Sequence, residues 1–339
     1  MPAVTFNSVA YPLRENESVL DCLTRHDQRI PHACKSGVCQ ACLIRSVGGD
    51  ATQNAKKSLK PTLQAQGFAL ACQWVPEASV EVSLPALEEC SVTVTIRSIE
   101  PLNHRVVQLT LVPCDASAMF DYFPGQYLTM TNPGGISRSY SIANNYAVDG
   151  YIELHIQHMP HGVFTNWLFS AAKPGEIMHV RGPAGSCFHI NPELEDYPIL
   201  LAGTGTGLAP LYGIAQEALR QDHQGPIHLF HGGVAARDLY LAESLQALAD
   251  ANPGFHYHAS CINATQEETL AFPGALETGK LDEVILRHLP RETIGQARVY
   301  LCGAPELVHL LRKKIFLQGA RSGNIYCDPF IERPVEKAA

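Results

Sequence analysis

Four cysteines constrain the folding of this chain more than any other feature. Cys34, Cys39 and Cys42 are spaced C-x4-C-x2-C within PHACKSGVCQAC, and Cys72 stands alone in GFALACQ. This is the spacing with which four thiolates hold a [2Fe–2S] cluster. Ala33, Ser36, Gly37 and Ala41 around these cysteines are small, so backbone N–H groups can approach the sulfurs and tune the potential of the cluster. The pattern therefore predicts a cluster with these four cysteines as its metal ligands.

Zinc and disulfides are the alternatives for these cysteines. A structural zinc site usually has two separated C-x2-4-C pairs or a pair combined with histidines, whereas Cys72 is single. Disulfides need an oxidising compartment, and the N-terminus MPAVTFNSVA lacks the features of a signal peptide, which favours a cytoplasmic protein. Zinc remains the main alternative. The other cysteines are scattered and are expected to be mostly small buried hydrophobes: Cys22, Cys90, Cys114, Cys187, Cys261, Cys302 and Cys327.

Length and charge narrow the function classes. With 339 residues, the chain is expected to form two or three domains, and it has no apolar run near the roughly eighteen residues of a membrane helix. A net charge of −8 argues against a nucleic-acid partner. Residues 1–84 carry eight basic and seven acidic residues, so the cysteine-bearing segment is nearly neutral. A detached electron carrier that finds its donor by long-range attraction would show a stronger charge of one sign.

Residues 1–85 resemble a plant-type ferredoxin domain over their whole length. Alternation predicts a strand over residues 3–12, and apolar spacing predicts a helix over Ser18–Arg25. Further strands are expected at Leu43–Ser46 and Val80–Leu84, and Pro85–Glu89 is typical of a linker. The resemblance implies a β-grasp fold with the cluster near one surface.

Residues 86–192 show a different pattern, with short strands at regular spacing. The six predicted strands are VTVTIRSI, VVQLTLVP, QYLTMTN, SRSYSIAN, YIELHIQHM and IMHVRGPAG. Such strands, separated by turn residues, favour a six-stranded antiparallel β-barrel. A single helix is expected to interrupt them, beginning near Gly162.

Two motifs in this barrel resemble the flavin-binding signature of the ferredoxin–NADP reductase family. They are Arg138-Ser139-Tyr140-Ser141 and Gly162-Val163-Phe164-Thr165. The resemblance implies FAD, with the Arg138 guanidinium on the pyrophosphate and the Tyr140 ring stacked on the isoalloxazine. Ser141 would lie near the reactive N5 edge of the flavin, and the second motif would offer backbone N–H groups at a helix start.

Residues 193–339 alternate apolar strands with helices, which predicts a doubly wound parallel sheet. The first strand-to-helix turn is glycine-rich and contains Gly203, Thr204, Gly205, Thr206, Gly207 and Pro210. Glycines there permit a tight turn and let a pyrophosphate rest on the helix N-terminus. The turn departs from a strict G-x-G-x-x-G, but it is similar to the nicotinamide-dinucleotide motif of the same reductase family.

Two further segments resemble that family. Cys302-Gly303-Ala304-Pro305 follows a predicted strand, and in the family this cysteine faces the nicotinamide during hydride transfer. From spacing alone, Cys302 would be interpreted as a buried core thiol. Phe330 in CDPF resembles the aromatic residue near the C-terminus that covers the flavin, although this chain continues for nine further residues. The resemblance therefore implies Cys302, Ser141 and Tyr140 as catalytic residues and adds Cys302, Gly303 and Phe330 to the cofactor site.

The coenzyme is expected to be NADH in preference to NADPH. A 2′-phosphate usually needs an arginine at the end of the second strand, and Gly232, Gly233 and Val234 occupy that place. Arg237 follows later and keeps NADPH as the alternative. The chain has fifteen histidines, but they show no spacing typical of a mononuclear metal site, and we assign them no chemistry.

The order ferredoxin, FAD barrel, NAD domain resembles the reductase components of bacterial ring-hydroxylating dioxygenases and related monooxygenases. The resemblance implies that electrons pass from NADH through FAD to the [2Fe–2S] cluster. The cluster would release them singly to an oxygenase component or an intermediate ferredoxin, in a pathway such as aromatic hydrocarbon catabolism. We expect a cytoplasmic monomer that binds no nucleic acid and no membrane.

Three alternatives remain open. The same carriers would suit a deoxysugar dehydratase or a haem monooxygenase as the acceptor. A simple electron carrier with an inactive reductase half is a second alternative, and a stand-alone flavin or quinone reductase is a third. The variant Cys39→Ser separates them, because NADH-to-ferricyanide turnover would survive while cytochrome c reduction would collapse.

Overall fold

The protein is organised around three β-sheets. The computed structural model describes residues 2–32, 35–37, 40–59, 61–85, 91–115, 122–189 and 196–330. Two of the predicted cluster ligands, Cys34 and Cys39, lie outside the described residues. The predicted domain boundaries at residues 85 and 192 stay predictions, because they border undescribed residues on at least one side.

The first sheet has five strands in the order β2-β1-β5-β3-β4. Its strands are β1 (Ala3–Phe6), β2 (Val9–Pro12), β3 (Leu43–Gly48), β4 (Phe68–Leu70) and β5 (Val80–Ser83). Its helices are α1 (Val19–Arg25), α2 (Gln53–Lys56) and α3 (Pro61–Ala65). Helix α1 begins where Ser18 Oγ accepts a hydrogen bond from Asp21 N at 3.1 Å, and its buried side chains join the core of the sheet.

The single strand predicted for residues 3–12 was wrong, because this segment is a hairpin. Asn7 and Ser8 have φ angles of 51° and 65°, so the chain reverses between β1 and β2. A two-residue turn with positive φ at both positions matches the twist of the strands that it joins. Alternation continues on both sides of so short a turn, which is why the pattern resembles one strand.

The second sheet is the predicted six-stranded antiparallel barrel. Its strands are β6 (Val92–Pro101), β7 (Val106–Pro113), β8 (Tyr127–Thr131), β9 (Ser137–Ser141), β10 (Ile152–Gln157) and β11 (Ile177–Ala184). They follow the order β10-β7-β6-β11-β8-β9, and a bridge between Ile142 and Leu154 joins the two ends. Helix α4 (Tyr146–Asp149) precedes β10, and α5 (Val163–Ser170) begins directly after Gly162, as predicted.

The third sheet is entirely parallel, which confirms the predicted fold class. Its strands are β12 (Ile199–Thr204), β13 (Ile227–Gly233), β14 (Phe255–Cys261), β15 (Leu276–Thr278), β16 (Arg298–Gly303) and β17 (Ile325–Pro329), in the order β15-β14-β13-β12-β16-β17. Its helices are α6 (Leu208–Arg220), α7 (Ala242–Ala251), α8 (Gln266–Ala271), α9 (Leu281–His288), α10 (Arg291–Gln296) and α11 (Pro305–Leu317). Strand β15 and helices α8 and α10 escaped the sequence analysis, because each is too short to show a periodicity.

Polar contacts join the barrel to the parallel sheet. Asn145 Nδ2 donates to Glu217 Oε2 at 2.9 Å, and Arg105 Nη2 lies 3.4 Å from Asp238 Oδ1. His155 Nδ1 lies 3.2 Å from the Tyr240 hydroxyl inside the contact. These buried and half-buried pairs fix the ends of the two sheets against each other. Among the described residues, no helix is long and apolar enough to cross a membrane.

Candidate redox and cofactor-binding site

The first predicted flavin motif lies on strand β9, which stands at one end of the strand order of the barrel. It pairs antiparallel with β8, and hydroxyl groups join the two strands: Thr129 and Ser139 at 2.9 Å, Thr131 and Ser137 at 2.8 Å. Since side chains alternate along a strand, Arg138 and Tyr140 lie on one face, and Ser139 and Ser141 lie on the other. The motif therefore presents two chemically different faces at the end of β9.

Tyr140 is fixed by packing against helix α5. Its ring lies 5.5 Å from the ring of Phe164, which is fully buried in the barrel core. Burial raises the pKa of the Tyr140 phenol well above its usual value, so the hydroxyl stays protonated and can donate a hydrogen bond. Arg138 is half-buried and donates from Nη1 to the Ser137 carbonyl at 2.7 Å. An aromatic ring that can stack and a guanidinium that can pair with phosphate lie on one face, and this combination fits a flavin dinucleotide.

The second flavin motif forms the start of helix α5. Gly162 is the N-cap and supplies no side-chain cap, so the first-turn N–H groups are available to an anion. Thr165 is buried, and its Oγ1 accepts from Met159 N at 3.2 Å. A Cβ at Gly162 would lie 2.5 Å from that Oγ1, so the glycine is required by the chain itself. Val163 is 58% exposed at the helix start, where a pyrophosphate would lie.

The glycine-rich turn lies where β12 ends beside β16. A Cβ at Gly203 or Gly207 would lie 2.7 Å or 2.4 Å from the Cys302 carbonyl oxygen. The backbone of the turn therefore approaches the end of β16 more closely than any side chain permits. Gly205 has a φ of 55°, and Thr204 and Thr206 are half-buried on either side of it.

Helix α6 begins directly after this turn and includes Pro210 in its first turn. Its N-cap, Gly207, supplies no side-chain cap. In the first turn of this 13-residue helix, the Leu208 N–H donates to the Gly205 carbonyl and Pro210 has no N–H. The N–H groups that a dinucleotide pyrophosphate would bind are therefore those of Ala209 and of the glycine-rich turn. These residues fit NAD or NADP equally well.

Cys302 lies at the end of β16, next to Gly203 of β12 in the parallel register. Its side chain is fully buried, and its Sγ lies 3.5 Å from Sγ of Cys187, which follows the last barrel strand. Burial raises the pKa of the Cys302 thiol well above its usual value. The cysteine is therefore a neutral thiol at the junction of barrel and parallel sheet, where Gly303 has a φ of 120°.

Asp328 is a site residue that the sequence analysis missed. Ser141 Oγ donates a hydrogen bond to Asp328 Oδ2 at 2.7 Å, which joins β9 of the barrel to β17 of the parallel sheet. Asp328 also pairs with Cys302 in the strand register. Burial raises the pKa of its carboxyl to about 6, against the opposing effect of the Ser141 hydrogen bond. Only its closeness to Cys327 and Phe330 in the CDPF segment hinted at a role.

Phe330 is placed at the same junction. Its backbone N–H donates to the Gly303 carbonyl at 2.8 Å, and the residue is half-buried. The junction therefore brings together residues from both predicted cofactor motifs and from the C-terminal segment: Ser141, Cys187, Cys302, Gly303, Asp328 and Phe330. No linear motif contains this set.

The described part of the cysteine loop is held by hydrogen bonds. Cys42 is buried and Cys72 half-buried, and the Ala71 N–H donates to the Cys42 carbonyl at 3.0 Å. Gln73 Nε2 donates to Cys72 Sγ at 3.6 Å and to the Lys35 carbonyl at 3.2 Å. Gly37 has a φ of 79°, which permits the turn that precedes Cys39. Thiols with nearby amide donors are the chemistry that an iron–sulfur cluster requires.

The described residues at the end of the cysteine loop contact the end of the barrel that carries the first predicted flavin motif. Arg181 of β11 donates from Nη1 to the Gln40 carbonyl at 3.0 Å. Ala41 packs with Tyr127 and Ala184 in a small apolar cluster. Tyr127 is the strand partner of Ser141. Ala41, the residue before Cys42, therefore packs against a direct neighbour of the first flavin motif. Neither contact was predicted, because both depend on how two domains pack.

Three family models match successive segments of the chain. The 2Fe-2S iron-sulfur cluster binding domain matches residues 6–77. The oxidoreductase FAD-binding domain matches residues 93–189, and the oxidoreductase NAD-binding domain matches residues 201–313. The order of these matches is the order of the three sheets.

Known proteins are similar over most of the chain. The reductase subunit of an aromatic O-demethylase from Amycolatopsis is 33% identical over 251 residues, covering 71% of this chain and 75% of that protein. The ferredoxin–NAD(P)+ reductase component of the naphthalene 1,2-dioxygenase/salicylate 5-hydroxylase systems of Ralstonia is 29% identical, covering 92% and 93%. The solved Amycolatopsis cytochrome P450 reductase GcoB has a TM-score of 0.67 at 27% identity, covering 97% and 99%.

Proposed function

Since this chain belongs to the ferredoxin–NAD(P) reductase family in which a [2Fe–2S] domain is fused to FAD- and NAD-binding domains, we propose that it delivers electrons from NADH to an oxygenase component. It is an oxidoreductase of the electron-transfer type found in dioxygenase and monooxygenase systems. The observation that carries the proposal is the contact of Gln40 and Ala41 with Arg181 and Tyr127. This contact puts the cluster-bearing loop beside the flavin strand within a single chain.

The chain's own residues would bind and orient the carriers. Arg138 and the first turn of α5 would hold the FAD pyrophosphate, and Tyr140 would support the ring system. The glycine-rich turn before α6 would hold the nicotinamide dinucleotide, with the neutral Cys302 thiol beside its ring. When bound, FAD supplies the conversion between two-electron and one-electron transfer.

Asp328 would orient the hydroxyl of Ser141. With a pKa of about 6, the carboxyl is mainly ionised at pH 7, and its Oδ2 accepts a hydrogen bond from Ser141 Oγ at 2.7 Å. Because the Ser141 hydroxyl then donates to Asp328, its oxygen would face the flavin edge as a hydrogen-bond acceptor. Because the two residues belong to different domains, the hydrogen bond also holds the barrel and the NAD-binding sheet in the orientation that hydride transfer needs.

The variant Arg181→Ala tests the docking contact. We expect cytochrome c reduction to fall about tenfold, because a charged donor contributes roughly 1.5–3 kcal/mol to such a hydrogen bond. NADH-to-ferricyanide turnover should stay unchanged, since it needs the flavin alone. Steady-state rates with both acceptors measure this. Arg97→Ala is the matched control, because Arg97 is an exposed barrel arginine stacked 4.9 Å over the Tyr151 ring. An equal loss with both acceptors would assign Arg181 to the flavin site and contradict the docking role.

We propose NADH as the preferred coenzyme. The loop after β13 offers no basic side chain before Arg237, which is exposed in a short turn at Ala236–Asp238. Asp238 beside it is held by the Ala235 N–H at 3.0 Å and pairs with Arg105 Nη2 at 3.4 Å. We expect kcat/KM for NADH to exceed that for NADPH by about tenfold or more, and Arg237→Ala to leave the NADH value unchanged. A preference for NADPH that disappears in Arg237→Ala would overturn this.

The acceptor is proposed to be an oxygenase component, with a haem monooxygenase as the second candidate. Both kinds of system occur in the names of the similar proteins, as a naphthalene dioxygenase and as a cytochrome P450. Co-purification of the native protein, followed by identification of the bound partner, tests this. An acceptor without oxygenase activity, such as a deoxysugar dehydratase, would contradict it.

A further inference from the structure

A group of polar side chains lies on the outer edge of the parallel sheet, away from the cofactor motifs. His258 lies on β14, Glu277 on β15, and His288 is the last residue of α9. Ser260 and Glu277 are partners in the parallel register, so Glu277 and His258 lie on the same face of the sheet. Helix α9 packs across that face against Phe230, and this packing brings the end of the helix over the two strands.

The three side chains are already close enough to share an ion. One nitrogen or oxygen atom from each of His258, Glu277 and His288 lies within 4.8 Å of the other two. The His288 Nε2 and Glu277 Oε1 atoms are 2.5 Å apart, and the rings of His258 and His288 have centroids 4.4 Å apart. His228 Nδ1 lies 3.2 Å from His258 Nε2 and steadies that ring from the neighbouring strand.

Two imidazoles and one carboxylate form a donor set typical of zinc. Zinc is bound almost always tetrahedrally, with nitrogen and oxygen at about 2.0–2.2 Å, so ligand atoms around one ion lie roughly 3.4 Å apart. The 2.5 Å pair of His288 and Glu277 must therefore open by roughly 1 Å, and any separation near 4.8 Å must close by roughly 1.5 Å. The side chains of His288 and Glu277 are 38% and 26% exposed, which gives an ion a path from solvent.

We propose that His258, Glu277 and His288 form a binding site for a divalent transition-metal ion, zinc above all. Zinc, copper and nickel all accept imidazole ligands, and the carboxylate offsets part of the charge. Among the described residues, this is the one group of three such side chains with this spacing. The sequence alone does not indicate this site, because Glu277 follows His258 by 19 positions and His288 follows Glu277 by 11.

The ion would stabilise the NAD-binding domain. Strand β15 has three residues and forms the outer edge of the sheet. Helix α9 begins beside Gly232, where Leu281 Cδ1 lies 3.3 Å from the position of a Cβ on that glycine, and ends at His288. A metal that joins β14, β15 and the end of α9 would tie this edge strand to the sheet, three strands away from β12 and its glycine-rich turn.

Zinc binding to the holoprotein tests the proposal. The protein with its cluster and FAD is dialysed against a chelator and then against graded ZnCl2, and zinc, iron and flavin are measured in the same samples. The thermal midpoint is recorded in parallel. The variants are Glu277→Gln and His288→Ala. His309→Ala is the matched control, because His309 is an exposed histidine on α11 outside the group.

We expect one zinc per chain with no loss of iron, and a higher thermal midpoint when zinc is bound. Zinc affinity should fall about 100-fold in both variants and stay unchanged in His309→Ala. Ferricyanide turnover reports that each variant is folded, and Glu277→Gln decides the result if His288→Ala does not fold. Equal zinc binding by Glu277→Gln would place the ion elsewhere. Failure of the wild-type protein to bind zinc would leave a hydrogen-bonded cluster without an ion, in which Glu277 Oε2 pairs with Arg287 Nη1 at 3.3 Å. Either result overturns the proposal.

Discussion

Replacement of Cys42 by serine is expected to lower cytochrome c reduction by at least about 100-fold. Loss of a residue that merely orients a metal ligand costs 10- to 100-fold in metal affinity, and loss of a ligand should cost more. Cys42 is buried, and Arg181 holds the Gln40 carbonyl two residues before it, so a thiol from solution cannot take its place. Without the cluster, electrons reach the flavin and stop there. NADH-to-ferricyanide turnover should therefore keep its wild-type rate within about twofold.

Iron content, the visible spectrum of the cluster and the two acceptor rates measure this. Cys39→Ser, at a predicted ligand outside the described residues, should behave in the same way. Cys114→Ser is the matched control, because Cys114 is an exposed barrel cysteine outside the predicted ligand set. If cytochrome c reduction survived in Cys42→Ser with iron absent, the cluster would not lie on the path of the electrons.

The variant Gly207→Ala should impair NADH oxidation with every acceptor. A Cβ at Gly207 would lie 2.4 Å from the Cys302 carbonyl oxygen and 2.9 Å from the Gly303 Cα. These are backbone atoms, so the clash is relieved only if the turn moves away from β16. Overpacking of this kind costs about 1–3 kcal/mol, and we expect kcat/KM for NADH to fall roughly 10- to 100-fold. The cluster and its spectrum should be unaffected, since they belong to another domain.

Steady-state kinetics and the thermal midpoint separate this effect from unfolding. Gly254→Ala is the matched control in the same domain, because a Cβ there has no neighbour within 4 Å. It should leave both kcat/KM and the midpoint unchanged. Wild-type kinetics in Gly207→Ala would show that the turn tolerates displacement and that the close approach to Cys302 has no role in coenzyme binding.

Local patterns were sufficient to predict the barrel and the parallel sheet. Alternating residues indicated the barrel strands, and apolar strands separated by helices indicated the parallel sheet, because both patterns repeat within ten to twenty residues. The hairpin at Asn7 and Ser8 was missed for a local reason, since a two-residue turn leaves the alternation intact. Strand β15 was missed because three residues carry no periodicity.

The sequence by itself determined the predicted chemistry of the carriers. The cysteine spacing indicated the cluster, and the RSYS strand and the glycine-rich turn carried the resemblance to the reductase family, because each of these two motifs lies within one short segment. Only the tertiary structure decided which side chains meet across segments: Ser141 with Asp328, Cys187 with Cys302, Gln40 with Arg181, and His258 with Glu277 and His288. The physical reason is that strand order, register and domain packing place such pairs together, and these are set by long-range burial that no local pattern contains.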